Sequence, residues 1–303
     1  MNTNSYLWGI DLGGTKIEGV VLKSKDNPEV LLRKRIPTEA SKGYEHIVGR
    51  IKLLIEQMSD EIGQKPTTIG IGTPGSTDPE TQLLKNSNST SLNNQPLQKD
   101  LERILGIPVI MANDANCFAI AEARMGIVME KFPDAKVVFG VIMGSGVGGG
   151  LVVNGHIING KHGITGEWGH IFLDEDGEDC YCGKHGCVET ILSGPALQRY
   201  YEKISGEQKS LKEIIADLDN DQHAQKTLDR LIYFFGKGLS AIINIIDPDV
   251  IVLGGGVGNI STLYNEGVDS VEKFTFNPEM KTPILAPKLG DSAGVFGAAF
   301  LMA

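Results

Sequence analysis

No stretch of this sequence is apolar for long enough to cross a bilayer, and Met1 to Tyr6 shows no basic run leading into an apolar core. A membrane span and a secretion leader are not expected, and the cytoplasm is the expected compartment. Positive charge is also in short supply: 28 Lys and Arg stand against 38 Asp and Glu, a net charge of −10. Neither nucleic acid nor an anionic membrane would be drawn to such a chain, which leaves a small molecule as the simpler partner. Cysteine is scarce, at four, and three of the four fall between Cys180 and Cys187. A disulfide framework would spread them out, so the clustering suggests a reducing compartment and a metal. What the chain does have is length: 303 residues exceed the size at which one core stops growing, and two domains are expected.

Tyr6 to Leu22, rich in β-branched residues around Gly13 and Gly14, predicts two strands and a tight turn. From Gly43 to Ile62 the spacing of Ile47, Ile51, Leu54, Ile55 and Met58 predicts a helix. A strand at Thr68 to Gly72 ends in Thr73-Pro74-Gly75, and a polar stretch follows from Ser76 to Gln95, long enough without periodicity to suggest function. Pro108 to Ala112 reads as a strand leading through Asn113-Asp114 into a helix ending near Arg124. Val137 to Val153 then repeats the opening hairpin, with Gly140, Gly144 and Gly150 falling opposite Gly9, Gly13 and Gly19, as in a duplicated domain. Ala224 to Ile246 predicts a long amphipathic helix, Asp249 to Leu253 a strand, Gly254-Gly255-Gly256 a turn, and Ala293 to Met302 a small-residue helix.

Asp11-Leu12-Gly13-Gly14-Thr15-Lys16 could turn successive N–H groups, a hydroxyl and an ammonium toward a phosphate, or be an ordinary glycine hairpin. It is no Walker loop, since its ending is reversed and no helix begins there. Gly144-Ser145-Gly146-Val147-Gly148-Gly149-Gly150 contains G-x-G-x-x-G, but a strand rather than a helix follows, which argues against a dinucleotide fold. Two matched glycine turns suggest two grips on one polyphosphate, and Gly254 to Gly256 would admit an adenosine or simply turn the chain. His170 with Cys180-x-Cys182-x4-Cys187 supplies a full tetrahedral shell for a structural zinc. Asp114 lies at a strand-to-helix junction, where both catalytic carboxylates and helix caps are found. Glu167 and Glu189 flank the metal motif, where a rigid scaffold could hold them against vicinal hydroxyls. Cys117 reads as a small buried hydrophobe.

Together these motifs, with Gly72-Thr73-Pro74-Gly75, Gly166-Glu167-Trp168-Gly169-His170 and Leu253-Gly254-Gly255-Gly256, resemble the ROK family of bacterial sugar kinases over essentially the whole chain. The resemblance implies an α/β, two-domain actin-like ATPase (ribonuclease H-like) fold with an interdomain cleft, each domain built on a five-stranded sheet. Residues 1–121 plus 292–303 would form the smaller domain and 122–291 the larger, zinc-bearing one. It also implies Asp114 as the base and Gly75, Asn88, Asn113, Asp114, Glu167, His170 and Glu189 as sugar contacts, His170 ligating zinc through one nitrogen and facing the sugar through the other. ATP would be held by Gly9, Asp11, Gly13, Gly14, Thr15, Lys16, by Gly144, Ser145, Gly146, Val147, Gly148, Gly149, and by Gly254, Gly255, Gly256, with Asp11 near Mg²⁺. Ser145 stands where many relatives have threonine, which keeps the hydroxyl.

The expected reaction is transfer of the ATP γ-phosphoryl group to the 6-hydroxyl of a free hexose. Lys85 to Thr90 and Leu92 to Pro96 look more like the fructokinase and mannokinase branch, and the Cys180 to Glu189 segment points the same way, so fructose or mannose is the expected substrate. N-acetylglucosamine kinases share the start Gly13-Gly14-Thr15-Lys16-Ile17 and are the alternative, with glucokinase beside them. A sugar-responsive repressor would need a DNA-binding segment ahead of Tyr6, for which no room is expected, and a noncatalytic sugar-binding module would lack the base or the phosphate turns. A homodimer is an assembly that the resemblance allows.

Overall fold

The computed structural model describes residues 6–87 and 89–302. Along the chain its elements are β1 (Leu7–Leu12), β2 (Lys16–Leu22), β3 (Val30–Pro37), α1 (Tyr44–Ile62), β4 (Ile69–Thr73), β5 (Ser76–Thr77), β6 (Leu84–Lys85), α2 (Leu97–Leu105), β7 (Val109–Asn113), α3 (Asp114–Arg124) and α4 (Ile127–Lys131). They continue as β8 (Val137–Met143), β9 (Val147–Val153), β10 (His156–Ile157), α5 (Glu189–Leu192), α6 (Gly194–Ser205), α7 (Leu211–Ala216), α8 (Gln222–Ile246), β11 (Val250–Gly254), α9 (Gly255–Gly258), α10 (Glu266–Phe274), β12 (Ile284–Leu285) and α11 (Ala293–Phe300). Among the described residues no helix is long and apolar enough to cross a membrane.

Two compact units divide the chain: the described residues of Met1–Glu130, Gly155–Thr165 and Leu289–Ala303, and those of Lys131–Asn154 and Gly166–Lys288. These bounds differ from the expected ones, which cut α3 between Ala121 and Glu122. The carboxylate of Glu122 is fully buried and accepts the N–H groups of Ile127 and Leu289, both at 2.9 Å, so it holds the end of α3 to the chain on either side. These two bonds tie the end of α3 to Ile127 and Leu289, both within the first unit, which keeps α3 whole.

In the first unit the strand order is β3-β2-β1-β4-β7. β1 to β3 run antiparallel, and β4 and β7 then join parallel to β1. The parallel register sets Asp11 beside Gly72, and Gly72 beside Ala112, so the ends of β1, β4 and β7 come level at one edge. The predicted stripe of α1 is buried, joined by Val48, in one core with Trp8, Ile10 and Ile71. Each such side chain contributes about 1.5–3 kcal/mol by leaving water.

β3 escaped the sequence reading. It is an edge strand, its apolar Val30 and Leu31 lie exposed, and its basic residues serve a buried acid. Glu18 on β2, 1% exposed, is paired with Arg33 and with Arg35 at 2.8 Å, and Arg33 also reaches Ser292.

The second sheet has the order β10-β9-β8-β11-β12, again an antiparallel hairpin followed by strands parallel to its first member. α8 lays Leu228, Leu231, Phe235, Leu239, Ile242 and Ile243 into this unit's core beside Phe139, Trp168 and Leu253. Both sheets therefore repeat one plan, as the matched glycine hairpins suggested.

Candidate active site and metal centre

The first unit presents Asp114 and Asp11. Asn113 proves to be the cap of α3, its Oδ1 accepting the Asn116 N–H at 2.8 Å. That leaves Asp114 free of capping the turn above it: its Oδ1 accepts the next N–H, that of Ala115, at 2.8 Å. Asp114 reaches solvent, yet the protein packed around it thins the surrounding water and raises its pKa, an effect that the N–H groups of Ala115 and Asp114 itself partly offset. Asp11, at the end of β1, is raised to about 6, first by burial and then by the carboxylates of Asp114 and Glu18, against a smaller lowering by Lys16 and Arg35. Its carboxylate is tucked against Gly294 and faces Gly72, two positions with no side chain to crowd it. A partly buried carboxylate short of positive charge fits Mg²⁺, a hard cation that seeks oxygen ligands.

Beside these acids the turn Gly13 to Lys16 is closed by the Gly13 N–H donating to the Lys16 carbonyl at 3.0 Å. Thr38, unnoticed in the sequence, braces it: its hydroxyl donates to the Gly13 carbonyl at 2.7 Å and its N–H to the Thr15 carbonyl at 3.0 Å. Gly14, Thr15 and Lys16 stay exposed, as a phosphate-facing turn requires. Gly9 does not belong with them. It is buried in mid-strand, where a Cβ would come within 2.5 Å of the Ala299 nitrogen and the Val295 carbonyl of α11, so its role is helix packing. Gly75, at φ 82, turns the chain into the β5–β6 ribbon against Lys85 and Ser87. Asn88 lies outside the described residues.

The second unit presents the metal motif, Glu167, Glu189 and the second glycine turn. One ligand atom from each of His170, Cys180, Cys182 and Cys187 lies within 4.8 Å of the others. His170 Nδ1 is 3.5 Å from Cys180 Sγ, and the Cys182 and Cys187 sulfurs are 3.7 Å apart. Tetrahedral zinc with ordinary bond lengths would set N–S and S–S edges of about 3.6 and 3.8 Å, so the donor set fits zinc in both chemistry and spacing. All four positions are filled by protein, which suits a structural ion. His185 is no ligand; it ties the knuckle by bonding Asp179 and the Glu175 carbonyl.

His170 Nε2, the nitrogen expected to face a sugar, meets the Tyr181 hydroxyl at 3.0 Å, with the two rings edge to face. Nothing in the sequence marked Tyr181. Its phenol is pushed up to about 12, first by the protein packed around it and then by the carboxylates of Glu189 and Glu167, although the side chain itself is largely exposed. Glu167 opens the short turn Trp168–His170.

Glu189, first residue of α5, accepts the Val147 N–H at 2.8 Å and so touches the second glycine turn. Of that turn, Ser145 is exposed at the apex, flanked by half-buried Gly144 and Gly146. Val147 and Gly149 are buried: a Cβ at Gly149 would meet Phe139, Trp168 and the Gly166 carbonyl, which makes it a packing position. Gly148 accepts the Trp168 indole N–H through its carbonyl at 2.8 Å. Gly254 is buried at the end of β11, whereas Gly255 and Gly256 are exposed and begin α9 rather than a plain turn.

A family model described as ROK family matches residues 7–303. The chain is 37% identical over 305 residues to an N-acetyl-D-glucosamine kinase of Aliivibrio fischeri, covering 97% of this chain and 98% of that one. It is 36% identical to an N-acetyl-D-glucosamine kinase of Escherichia coli, again over 97% and 98% of the two chains. Among solved structures, a ROK hexokinase from Thermus thermophilus matches with a TM-score of 0.88 at 29% identity, covering 98% of this chain and 97% of that one. A ROK family glucokinase from Streptomyces griseus, solved with glucose and AMPPNP, matches with a TM-score of 0.76 at 28% identity, covering 98% of each. These neighbours have the two-domain actin-like ATPase fold, and the two mixed α/β units of this chain follow it. The chain belongs to the ROK family.

Proposed function

We propose that this chain is an ATP-dependent sugar kinase that phosphorylates the 6-hydroxyl of N-acetyl-D-glucosamine, giving the 6-phosphate and ADP. The observation that carries the substrate is the identity of 37% and 36%, over nearly full length, to relatives that bear that activity in their names. The expected preference for fructose or mannose rested on the Asn- and Ser-rich stretch 85–96 and on the Cys180 to Glu189 segment, and those relatives do not support it. The stretch has another explanation: Asn93 accepts the Ser87 N–H at 2.8 Å and donates to the Ser87 carbonyl at 2.9 Å, so its polar residues build the loop.

Kinase chemistry is supported by Asp114. A carboxylate whose pKa is lifted by its surroundings has a stronger pull on a proton than an ordinary aspartate, which suits it to accept the proton of the attacking hydroxyl. The transition state is loose and nearly in line, so the remaining work is positioning and charge neutralisation. Gly14, Thr15 and Lys16, and in the other unit Gly144 to Gly146, are proposed to bind the phosphates. Asp11 would hold Mg²⁺, whose charge offsets that of the phosphoryl oxygens. Asn113, through its amide N–H₂, with Glu167, His170 and Glu189, is proposed to orient the sugar hydroxyls, and zinc held by His170, Cys180, Cys182 and Cys187 would fix the last three.

A coupled ADP assay with N-acetylglucosamine, glucose, mannose and fructose tests the substrate. Its kcat/KM on N-acetylglucosamine should exceed that on the others by about tenfold or more, on the order of what a buried polar contact to a distinguishing group supplies. A higher kcat/KM on fructose or mannose would overturn the assignment, and no turnover with any of the four would overturn the kinase reading.

A further inference from the structure

The segment that follows the last metal ligand grips the second glycine turn at both ends. Two residues after Cys187, the Glu189 carboxylate accepts the Val147 N–H at 2.8 Å. Five residues further on, the Gly194 N–H donates to the Gly144 carbonyl, also at 2.8 Å. Between these points the turn is closed by its own bond, Gly144 N–H to Gly146 carbonyl at 2.8 Å. Gly146 lies against the carboxylate so closely that a Cβ there would be 2.5 Å from Glu189 Oε2. The knuckle end of the grip is fixed in turn, since the Thr190 hydroxyl donates to the Cys187 carbonyl at 2.7 Å.

We propose that Glu189 is a positioning residue for the nucleotide: its carboxylate sets the conformation of the Gly144–Val147 turn so that the exposed apex, Ser145, presents its groups to phosphate. This role rests on the kinase reading above and adds to any contact that Glu189 makes with the sugar. Electrostatics alone would argue the other way, because a carboxylate near bound phosphate repels it. The bond to Val147 must therefore outweigh that repulsion by holding the turn in shape, which limits the ordering that nucleotide binding has to impose. Acceptor geometry and charge separate cleanly in two variants. Glu189→Gln keeps an oxygen that accepts the Val147 N–H and removes the charge, whereas Glu189→Ala removes both.

The test is equilibrium binding of AMPPNP with Mg²⁺, without sugar, to zinc-loaded full-length protein, alongside KM for ATP and kcat. Glu189→Ala should bind AMPPNP about tenfold more weakly than Glu189→Gln, the loss expected when a buried backbone donor is stranded. Glu189→Gln should bind at least as tightly as wild type, and KM for ATP should follow the same order. Equal affinity of the Ala and Gln variants would overturn the proposal, as would equal losses in both. If Glu189→Ala fails to hold zinc, Gly146→Ala probes the same contact from the turn side, and unchanged AMPPNP affinity there would overturn it. A wild-type protein that binds no AMPPNP would instead bring down the kinase reading itself.

Discussion

Replacing Asp11 with Asn should stabilise the first unit at neutral pH while removing kinase activity. The folded pKa of Asp11 is about 6 against an ordinary 3.8, so ionising it in the folded protein costs about 3 kcal/mol, at about 1.4 kcal/mol per unit. The sign follows from linkage. A carboxyl whose folded pKa is raised contributes nothing unfavourable below its unfolded pKa, and its contribution to stability falls as pH rises through the folded value. Wild type should therefore lose ground between pH 4 and 7 and the Asn variant should not. The gain from Asn would approach 3 kcal/mol at pH 8 and about 1.6 at pH 5, with solvent screening reducing both. Asn is close to Asp in volume, so the narrow space against Gly294 is kept. Urea unfolding can be read unit by unit, because one of the two tryptophans, Trp8, is buried in the first core and the other, Trp168, in the second. In a Trp168→Phe background Trp8 reports the first unit alone. A gain in midpoint that is the same at pH 5 and pH 8, or no gain at all, would refute the ionisation argument. Retained activity would refute the assignment of Asp11 to Mg²⁺.

Asp114→Asn should lower kcat by at least about a hundredfold with little change in KM for ATP, the loss expected for a general base; near-normal turnover in the ADP assay would remove Asp114 from that role. Cys182→Ser should lose zinc by more than the roughly 10–100-fold that removing a supporting partner costs. Metal analysis after dialysis checks the loss, and the Trp168 signal should show the second unit melting earlier, since Trp168 stands two residues from His170 in the same short turn.

Side chains with one geometric use were legible in the sequence. Three thiols and an imidazole in that spacing have few roles other than a metal, and the apolar stripe of α1 had only one face to bury. Polar loop residues were not legible, because Asn and Ser serve a sugar and a turn with the same atoms. Asn93 illustrates this: its amide, counted toward a sugar branch, closes on the backbone of Ser87. Tyr181 was invisible for a different reason. Its importance lies in meeting His170 Nε2 across the knuckle, a pairing made by the fold and not by spacing.

The glycines show how far one residue type can mislead. Laid over each other, the two hairpins appeared to mark two long phosphate grips, yet the strand glycines answer to packing. Gly9 admits the backbone of α11 and Gly19 the Met58 sulfur of α1, on the two faces of one hairpin, while Gly149 admits Trp168. A side chain at any of them would force apart a packed layer, which costs about 1–3 kcal/mol or more where the opposing atoms are backbone. Only the turn residues, exposed Gly14 to Lys16 and the apex around Ser145, are left with groups turned away from the core. The duplication therefore repeats a way of stacking helices on a five-stranded sheet. The groups proposed to face phosphate on the two hairpins are thereby reduced to the few turn residues that such packing leaves uncovered, while Asp11, Asp114 and the acids beside the metal motif are proposed to serve the cation and the sugar from elsewhere.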